Sequence, residues 1–125
     1  MASQFDGAGQ IKLATLDDAI LKSQHVHAIV ERFASAVRLQ NETGSFRMQL
    51  QRAATPLVGL LKPQFGPVAD VVVTFLQTVS RGGSEQTKVR ALRESIAQVR
   101  MQLDIAVTKT KEKHAMSEDA AAPSP

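Results

Sequence analysis

The chain has 125 residues, a net charge of +3 and no cysteine. This length fits one domain with short tails, and the absence of cysteine excludes disulfides, thiolate catalysis and zinc sites built on cysteine. All five aromatic residues are phenylalanine. The core must therefore be mainly aliphatic, and the Trp and Tyr side chains that often stack on single-stranded nucleic acid are missing.

Residues 1–13 are predicted to form a flexible arm, because residues 1–10 carry polar side chains and two glycines, Gly7 and Gly9. It shows neither the charged-then-apolar pattern of a secretory signal nor the arginine-rich pattern of a transit peptide. No segment of the sequence approaches the roughly 20 apolar residues of a membrane span. We therefore expect a soluble, cytoplasmic protein.

The first long helix is predicted over residues 15–40. Thr15 is a suitable N-cap residue, and Asp17 and Asp18 in the next turn interact favourably with the positive end of the helix dipole. Alternating steps of three and four residues place one set of side chains on a single seam. The seam consists of Leu16, Ala19, Ser23, Val26, Val30, Phe33 and Val37. Residues 41–44 provide the stop and the turn.

The middle of the chain is predicted to form a proline-broken rod of two shorter helices, over residues 45–62 and 67–80. Pro56 interrupts the first of them, which leaves either a kink or a new segment capped by Thr55. The break between the two helices follows from Pro63 and Pro67, since residues before proline avoid helical geometry. The valines of the second segment also suit a strand, but its apolar residues share one helical face, which favours a helix.

A second long helix is predicted over residues 84–113, with the same alternation of threes and fours. Its seam consists of Val89, Leu92, Ile96, Val99, Leu103, Ala106 and Thr110. Residues 114–125 turn to Ala, Pro and Ser and are predicted to form a disordered tail. The fold class is therefore an all-α, antiparallel helical bundle over residues 14–113. The two shorter helices either lie end to end as a third rod or fold back to give four helices.

No motif in the sequence carries recognisable catalytic or cofactor chemistry. His25 and His27 are two positions apart, which turns them to opposite sides of a helix, so they cannot chelate one metal ion from that helix. Asp70 follows Pro67 near the start of a helix, where an acid interacts favourably with the dipole. The sequence shows neither a phosphate-binding loop nor a nucleophile elbow. We therefore expect no enzyme activity, no cofactor and no metal.

Basic residues are concentrated between residues 43 and 113, where eleven bases face five acids. Five of them are candidates for a patch that binds an anionic partner: Arg81, Lys88, Arg90, Arg93 and Arg100. Such a cluster is typical either of a solvated helix face or of a footprint for nucleic-acid phosphates. Glu94 and Asp104 are interspersed with these cations and weaken the phosphate interpretation.

Met101 and Ile105 form a small apolar face on the last helix, opposite Leu103. This face is a candidate protein interface, although scattered surface hydrophobes give the same pattern. The leading hypothesis is a non-catalytic helical interaction module that self-associates or acts as a small subunit or adaptor of a protein assembly. A basic nucleic-acid-binding accessory protein is the alternative. A peripheral membrane-contacting bundle ranks last, because the last helix mixes acids with bases.

Overall fold

The computed structural model describes residues 7–114, which fold into four α-helices and contain no strand. The helices are α1 (Gly7–Arg38), α2 (Phe46–Leu61), α3 (Gly66–Ser80) and α4 (Glu85–His114). The all-α prediction is confirmed, and so is the helical interpretation of residues 68–80. The predicted C-terminal tail, apart from His114, lies outside the described residues, as do residues 1–6.

The helices pack as a square in which each helix contacts two neighbours. Both α1 and α3 contact α2 and α4, whereas within the described range the diagonal pairs have no close approach. The shorter helices lie side by side as a hairpin, with Gln51 of α2 donating a hydrogen bond to Ser80 of α3 at 3.3 Å. Two helices laid end to end could not bring these residues together. The arrangement is therefore a four-helix bundle and not three rods.

Both predicted seams lie in the core. The buried members in α1 are Leu16, Ala19, Ser23, Val26, Val30 and Phe33. Those in α4 are Leu92, Ile96, Val99, Leu103, Ala106 and Thr110. The hairpin contributes mainly aliphatic side chains, among them Leu57, Leu61 and Val72, together with the aromatic ring of Phe75. Burial of apolar surface is the main favourable term in folding, and the repeated steps of three and four residues concentrate it on the inner faces.

The start of α1 differs from the prediction. The helix begins at Gly7 and not at Thr15, so the predicted arm over residues 1–13 is wrong for residues 7–13. The reason is tertiary, because α4 extends to His114 and gives Gly9 and Leu13 a surface on which to continue the α1 seam. Lys12 Nζ lies 3.3 Å from His114 Nε2, which places these two helix ends side by side. Packing against a partner helix stabilises a helix more than the propensity of its residues does.

Pro56 does not end α2. The helix runs from Phe46 to Leu61, so Thr55 lies inside it and does not cap a new segment. Proline has no N–H to donate to the carbonyl of Arg52, one turn earlier. Because Pro56 is exposed, water can reach that carbonyl, which reduces the cost of the missing bond. The Thr55 hydroxyl donates to the carbonyl of Gln51 at 2.6 Å.

A Schellman motif ends α1. The N–H of Asn41 donates to the carbonyl of Ala36 at 2.8 Å, and the N–H of Gln40 donates to the carbonyl of Val37 at 3.2 Å. This motif requires a left-handed residue after the helix, a position that glycine normally occupies. Gln40 occupies it here with a φ of 59°. The backbone of Gln40 is therefore in a strained conformation, which a glycine at this position would adopt freely.

The serines that precede α2 and α4 behave differently. At the start of α4 the backbone N–H of Thr87 donates to Ser84 Oγ at 3.2 Å, which is an N-cap bond. At the start of α2, Ser45 makes no such bond, and its hydroxyl instead accepts from the Gln49 side chain at 2.9 Å. Ser84 therefore stabilises its helix through a cap and Ser45 does not.

The buried polar groups are satisfied inside the bundle. The Ser23 hydroxyl donates to the carbonyl of Ile20 at 2.8 Å, and the Thr78 hydroxyl donates to that of Thr74 at 3.1 Å. Across residues 7–114, every buried side-chain nitrogen or oxygen has a hydrogen-bond partner. None of the four described helices is long and apolar enough to cross a membrane.

Candidate interaction face

Arg93 of α4 forms an ion pair with Glu31 of α1. Its Nε and Nη2 atoms donate to the two carboxylate oxygens at 2.9 and 2.7 Å. The hydrogen bond from Arg93 lowers the pKa of Glu31, and the same bond raises the pKa of Arg93. Both side chains are about half exposed, so solvent screens the pair and limits its effect on stability. The pair holds the guanidinium against α1, where it is less available to an external anion.

The five basic residues predicted as an anionic-partner patch lie in different surroundings. Arg100 approaches His27 of α1, with 3.5 Å between Nη1 and Nδ1. Arg81 lines the groove between α3 and α4, whereas Lys88 lines a cleft at the end of the bundle. Arg90 is exposed on the outer side of α4. Arg93 and Arg100 therefore lie on the α1 side of α4, whereas Arg81, Lys88 and Arg90 lie on other parts of the bundle.

Met101 and Ile105 lie on the outer side of α4. Their exposed fractions are 47% and 39%, against 0% for Leu103. Met101 lines a groove between α3 and α4, in which the apolar residues Val71, Ala91 and Ala97 lie among polar ones. The groove is lined by Val71, Thr74, Thr78, Arg81, Ala91, Glu94, Ser95, Ala97, Gln98 and Met101. Ile105 follows one turn later and lines the neighbouring cleft at the start of α3. We call this groove, together with Ile105, the α3–α4 face.

A second ladder runs along the outer side of α4 and contains both predicted interface residues. Its members are separated by three or four positions and all are exposed: Arg90, Glu94, Ala97, Met101, Ile105, Thr108 and Glu112. With 3.6 residues per turn, these positions fall within a sector about 80° wide. We call this ladder the outer stripe. The apolar pattern of the sequence identifies Met101 and Ile105 but not the polar members of the stripe. Only the regular spacing of three or four positions places the polar members on the same side of the helix.

Two clefts bring together basic residues that the sequence did not group. The first lies between α1 and α2, and its basic lining residues are Lys22, His25, Arg32 and Arg52. The second lies where the ends of α1 and α4 meet the α2–α3 connection, and its basic lining residues are Lys12, Lys109, Lys113 and His114. Cations near the end of α4 are favourable against the negative end of its dipole. Sequence spacing could not predict either cluster, because each joins residues of separate helices.

The histidines and acids are not gathered into a metal site. Within residues 7–114 there is no group of three or more His, Asp or Glu side chains that could hold a metal ion. His25 lines the α1–α2 cleft, whereas His27 Nε2 lies 3.8 Å from Glu31 on the α4 side. Asp70 is exposed on α3 and lies beyond its first turn, because the helix begins at Gly66.

Comparison with protein-family models, with curated proteins and with solved structures finds no match to this chain. Among the surfaces of the bundle, the α3–α4 face places two exposed hydrophobic side chains, Met101 and Ile105, beside a groove between two helices.

Proposed function

We propose that this chain is a non-catalytic helical interaction module that binds its partner through the α3–α4 face. The exposure of Met101 and Ile105, one turn apart on the outer side of α4 and beside the groove between α3 and α4, is the observation that supports this most directly. Covering apolar surface is favourable by about 25 cal/mol per Å². The partner is a second copy of the chain or another subunit of an assembly. The absence of cysteine suits the reducing cytoplasm, where we place the protein.

The complete core also supports a partner on the outer surface. Both long seams are buried inside the single chain, so they are not available for pairing with another chain. Several large hydrophobic side chains remain exposed in the described range: Ile11, Leu21, Leu39, Met48, Val73, Met101 and Ile105. Within this set, Met101 and Ile105 are the pair that lies one turn apart on the same helix. Neighbouring exposed hydrophobes mark interfaces better than isolated ones do.

The nucleic-acid alternative has weaker support. Arg93 is paired with Glu31, and the other predicted cations lie on separate surfaces, so they do not form one line along a phosphate backbone. The lysines around the second cleft are its best support.

Nucleic-acid binding would give retention on a DNA or RNA column that weakens with salt, with a shallower salt dependence after Lys109→Glu and Lys113→Glu. Absence of retention at low salt would exclude this alternative.

Native mass measurement of the purified full chain tests the interaction proposal. We compare the wild type with Met101→Asp, Ile105→Asp and a control, Leu21→Asp. Leu21 is 64% exposed and lines the cleft between α1 and α2, so the control introduces the same charge at an exposed apolar site on another face.

The wild type and the Leu21 control are expected to form the same higher-mass species, either with themselves or with a co-purifying subunit. The two α3–α4 variants are expected to be folded monomers with an unchanged circular dichroism spectrum. If all four proteins formed the same species, with the same number and kind of subunits, the α3–α4 face would be ruled out as the binding surface.

A further inference from the structure

We propose that the α3–α4 face binds a second copy of this chain, with the two α4 helices antiparallel and a two-fold axis passing beside Met101. This inference rests on the proposed function and specifies its partner and geometry. It follows from the outer stripe, whose two halves are complementary to each other when the helix is reversed. A closed two-fold dimer requires such self-complementarity, because the same surface serves both copies.

The outer stripe has the length and straightness that helix pairing needs. It spans residues 90–112, or about 33 Å at 1.5 Å per residue. All its members lie within one narrow sector of the helix, so a single partner helix can contact them together. Met101 is its central position, with three members on each side. In an antiparallel pair centred there, each residue before Met101 faces the residue equally far after it on the second copy.

The apolar part of the stripe pairs large side chains with small ones. Ala97 and Ile105 are each four positions from Met101, so Ala97 of one copy faces Ile105 of the other. Alternating large and small side chains allow the surfaces of two helices to interdigitate. The two Met101 side chains meet at the axis, where the flexible thioether adapts to its own copy. All three positions are exposed in the single chain.

The charged ends of the stripe are complementary in the same register. Arg90 and Glu112 are equally distant from Met101, so each Arg90 faces a Glu112 of the other copy. Glu94 faces Thr108 of the other copy in this register, and Lys109 of that copy comes directly after Thr108, on the side toward α3. Among the described residues, Arg90, Glu94 and Glu112 have no ion-pair partner. The second copy therefore supplies opposite charges to side chains that the single chain leaves unpaired.

A parallel pair would not have this complementarity. Residues of the same number would then face one another, so Arg90 would meet Arg90 and Glu112 would meet Glu112. Like charges placed opposite each other disfavour association. The charge pattern of the stripe therefore selects the antiparallel direction.

The contact area predicts a concentration-dependent dimer. A strip about 33 Å long and about 10 Å wide, the diameter of a helix, is smaller than the roughly 800 Å² per partner of a standard stable interface. Val71 and Thr74 of α3 lie beside the stripe and extend the contact. Monomer and dimer are therefore expected to coexist at micromolar concentrations.

Charge reversal at the ends of the stripe tests the pairing in the full chain. Sedimentation equilibrium measures the dissociation constant for Arg90→Glu, for Glu112→Arg and for the double variant. Each single reversal turns two attractive pairs of the dimer into repulsive ones, so we expect a weakening of about tenfold. The double variant restores opposite charges and is expected to regain wild-type affinity. Arg52→Glu, on the α1–α2 side, is the control for net charge and is expected to leave affinity unchanged.

Engineered cysteines determine the register of the two α4 helices directly, because the chain has no cysteine of its own. Ala97→Cys with Ile105→Cys is expected to give a disulfide-linked dimer under mild oxidation. Ala97→Cys alone is expected to stay monomeric on a denaturing gel, since the antiparallel register separates the two introduced thiols by about 12 Å along the helix axes, too far for a disulfide. Crosslinking by Ala97→Cys alone would instead indicate a parallel pair and overturn the inference.

The outcomes separate this inference from the proposed function. If Met101→Asp abolishes dimers but the double charge reversal does not restore what the single reversals lose, the α3–α4 face binds a second copy in another register and the antiparallel pairing is wrong. If the wild type is monomeric at every concentration, the second copy is wrong as the partner, while binding of a different subunit through the same face still stands.

Discussion

Leu103 and Met101 are two positions apart on α4 and lie on opposite sides of it, which allows the contribution of the core to be measured against a matched control. Leu103 is 0% exposed and Met101 is 47% exposed. We consider Leu103→Ala and Met101→Ala. Both changes shorten the side chain to the same methyl group in the middle of the same helix, so differences in helix propensity are only a few tenths of a kcal/mol.

The expected losses of stability differ strongly. Leu103→Ala removes buried aliphatic atoms from a closed core and leaves a cavity, which lowers the free energy of unfolding by about 2–5 kcal/mol. Because Leu103 is completely buried in the core that all four helices share, we expect a value in the upper half of that range. Met101→Ala removes atoms that are already half in water, so a change of about 0.5 kcal/mol is expected.

Guanidinium denaturation followed by far-UV circular dichroism measures both values. The protein concentration must be below that of self-association, so that loss of a dimer does not add to the effect of Met101→Ala. Similar losses in the two variants, or a loss below about 1 kcal/mol for Leu103→Ala, would refute the assignment of the ladder from Leu92 to Thr110 to the core.

Three further predictions concern the ends of the helices and the α1–α4 ion pair. Because Arg93 lowers the pKa of Glu31, Glu31→Gln should be less stable than the wild type above the ordinary carboxylate pKa. The difference in stability should disappear as the pH falls through the lowered pKa of Glu31. Thermal unfolding of both proteins from neutral to acidic pH measures this difference. Ser84→Ala should cost about 0.5–2 kcal/mol through loss of the N-cap bond, whereas Ser45→Ala should cost clearly less; equal costs would contradict the assigned cap. Gln40→Gly should raise the unfolding free energy by up to about 1 kcal/mol, because it relieves a left-handed φ, and a destabilised variant would show that the side chain contributes more than the strain costs.

The helical bundle was predictable because its stabilising contacts are periodic in the sequence. Leu16 to Phe33 and Leu92 to Thr110 repeat at steps of three and four residues, and this spacing alone determines which side of each helix is buried. The exposure of Met101 also follows from the spacing, since it lies on the opposite side of the helix from Leu103.

Features that depend on distant contacts were not predictable. The first turns of α1 form because the end of α4 lies beside them, which no local pattern shows. Arg93 is held by Glu31, a residue of another helix, so its sequence neighbours could not reveal that its charge is already paired. Pro56 is tolerated because it faces solvent, and that depends on where α2 lies in the bundle.

The side-by-side position of Lys12 and His114 has a mechanical consequence. Both ends of the described chain leave the bundle at the same pole, so a force applied between them acts across the α1–α4 contact and not along it. The two helices then separate turn by turn, beginning at that pole, and only a few contacts resist at any moment. We expect the bundle to unfold at a low, nearly constant force when it is pulled by these two ends. A force applied between the α2–α3 connection and the opposite pole would instead have to slide whole helices past each other.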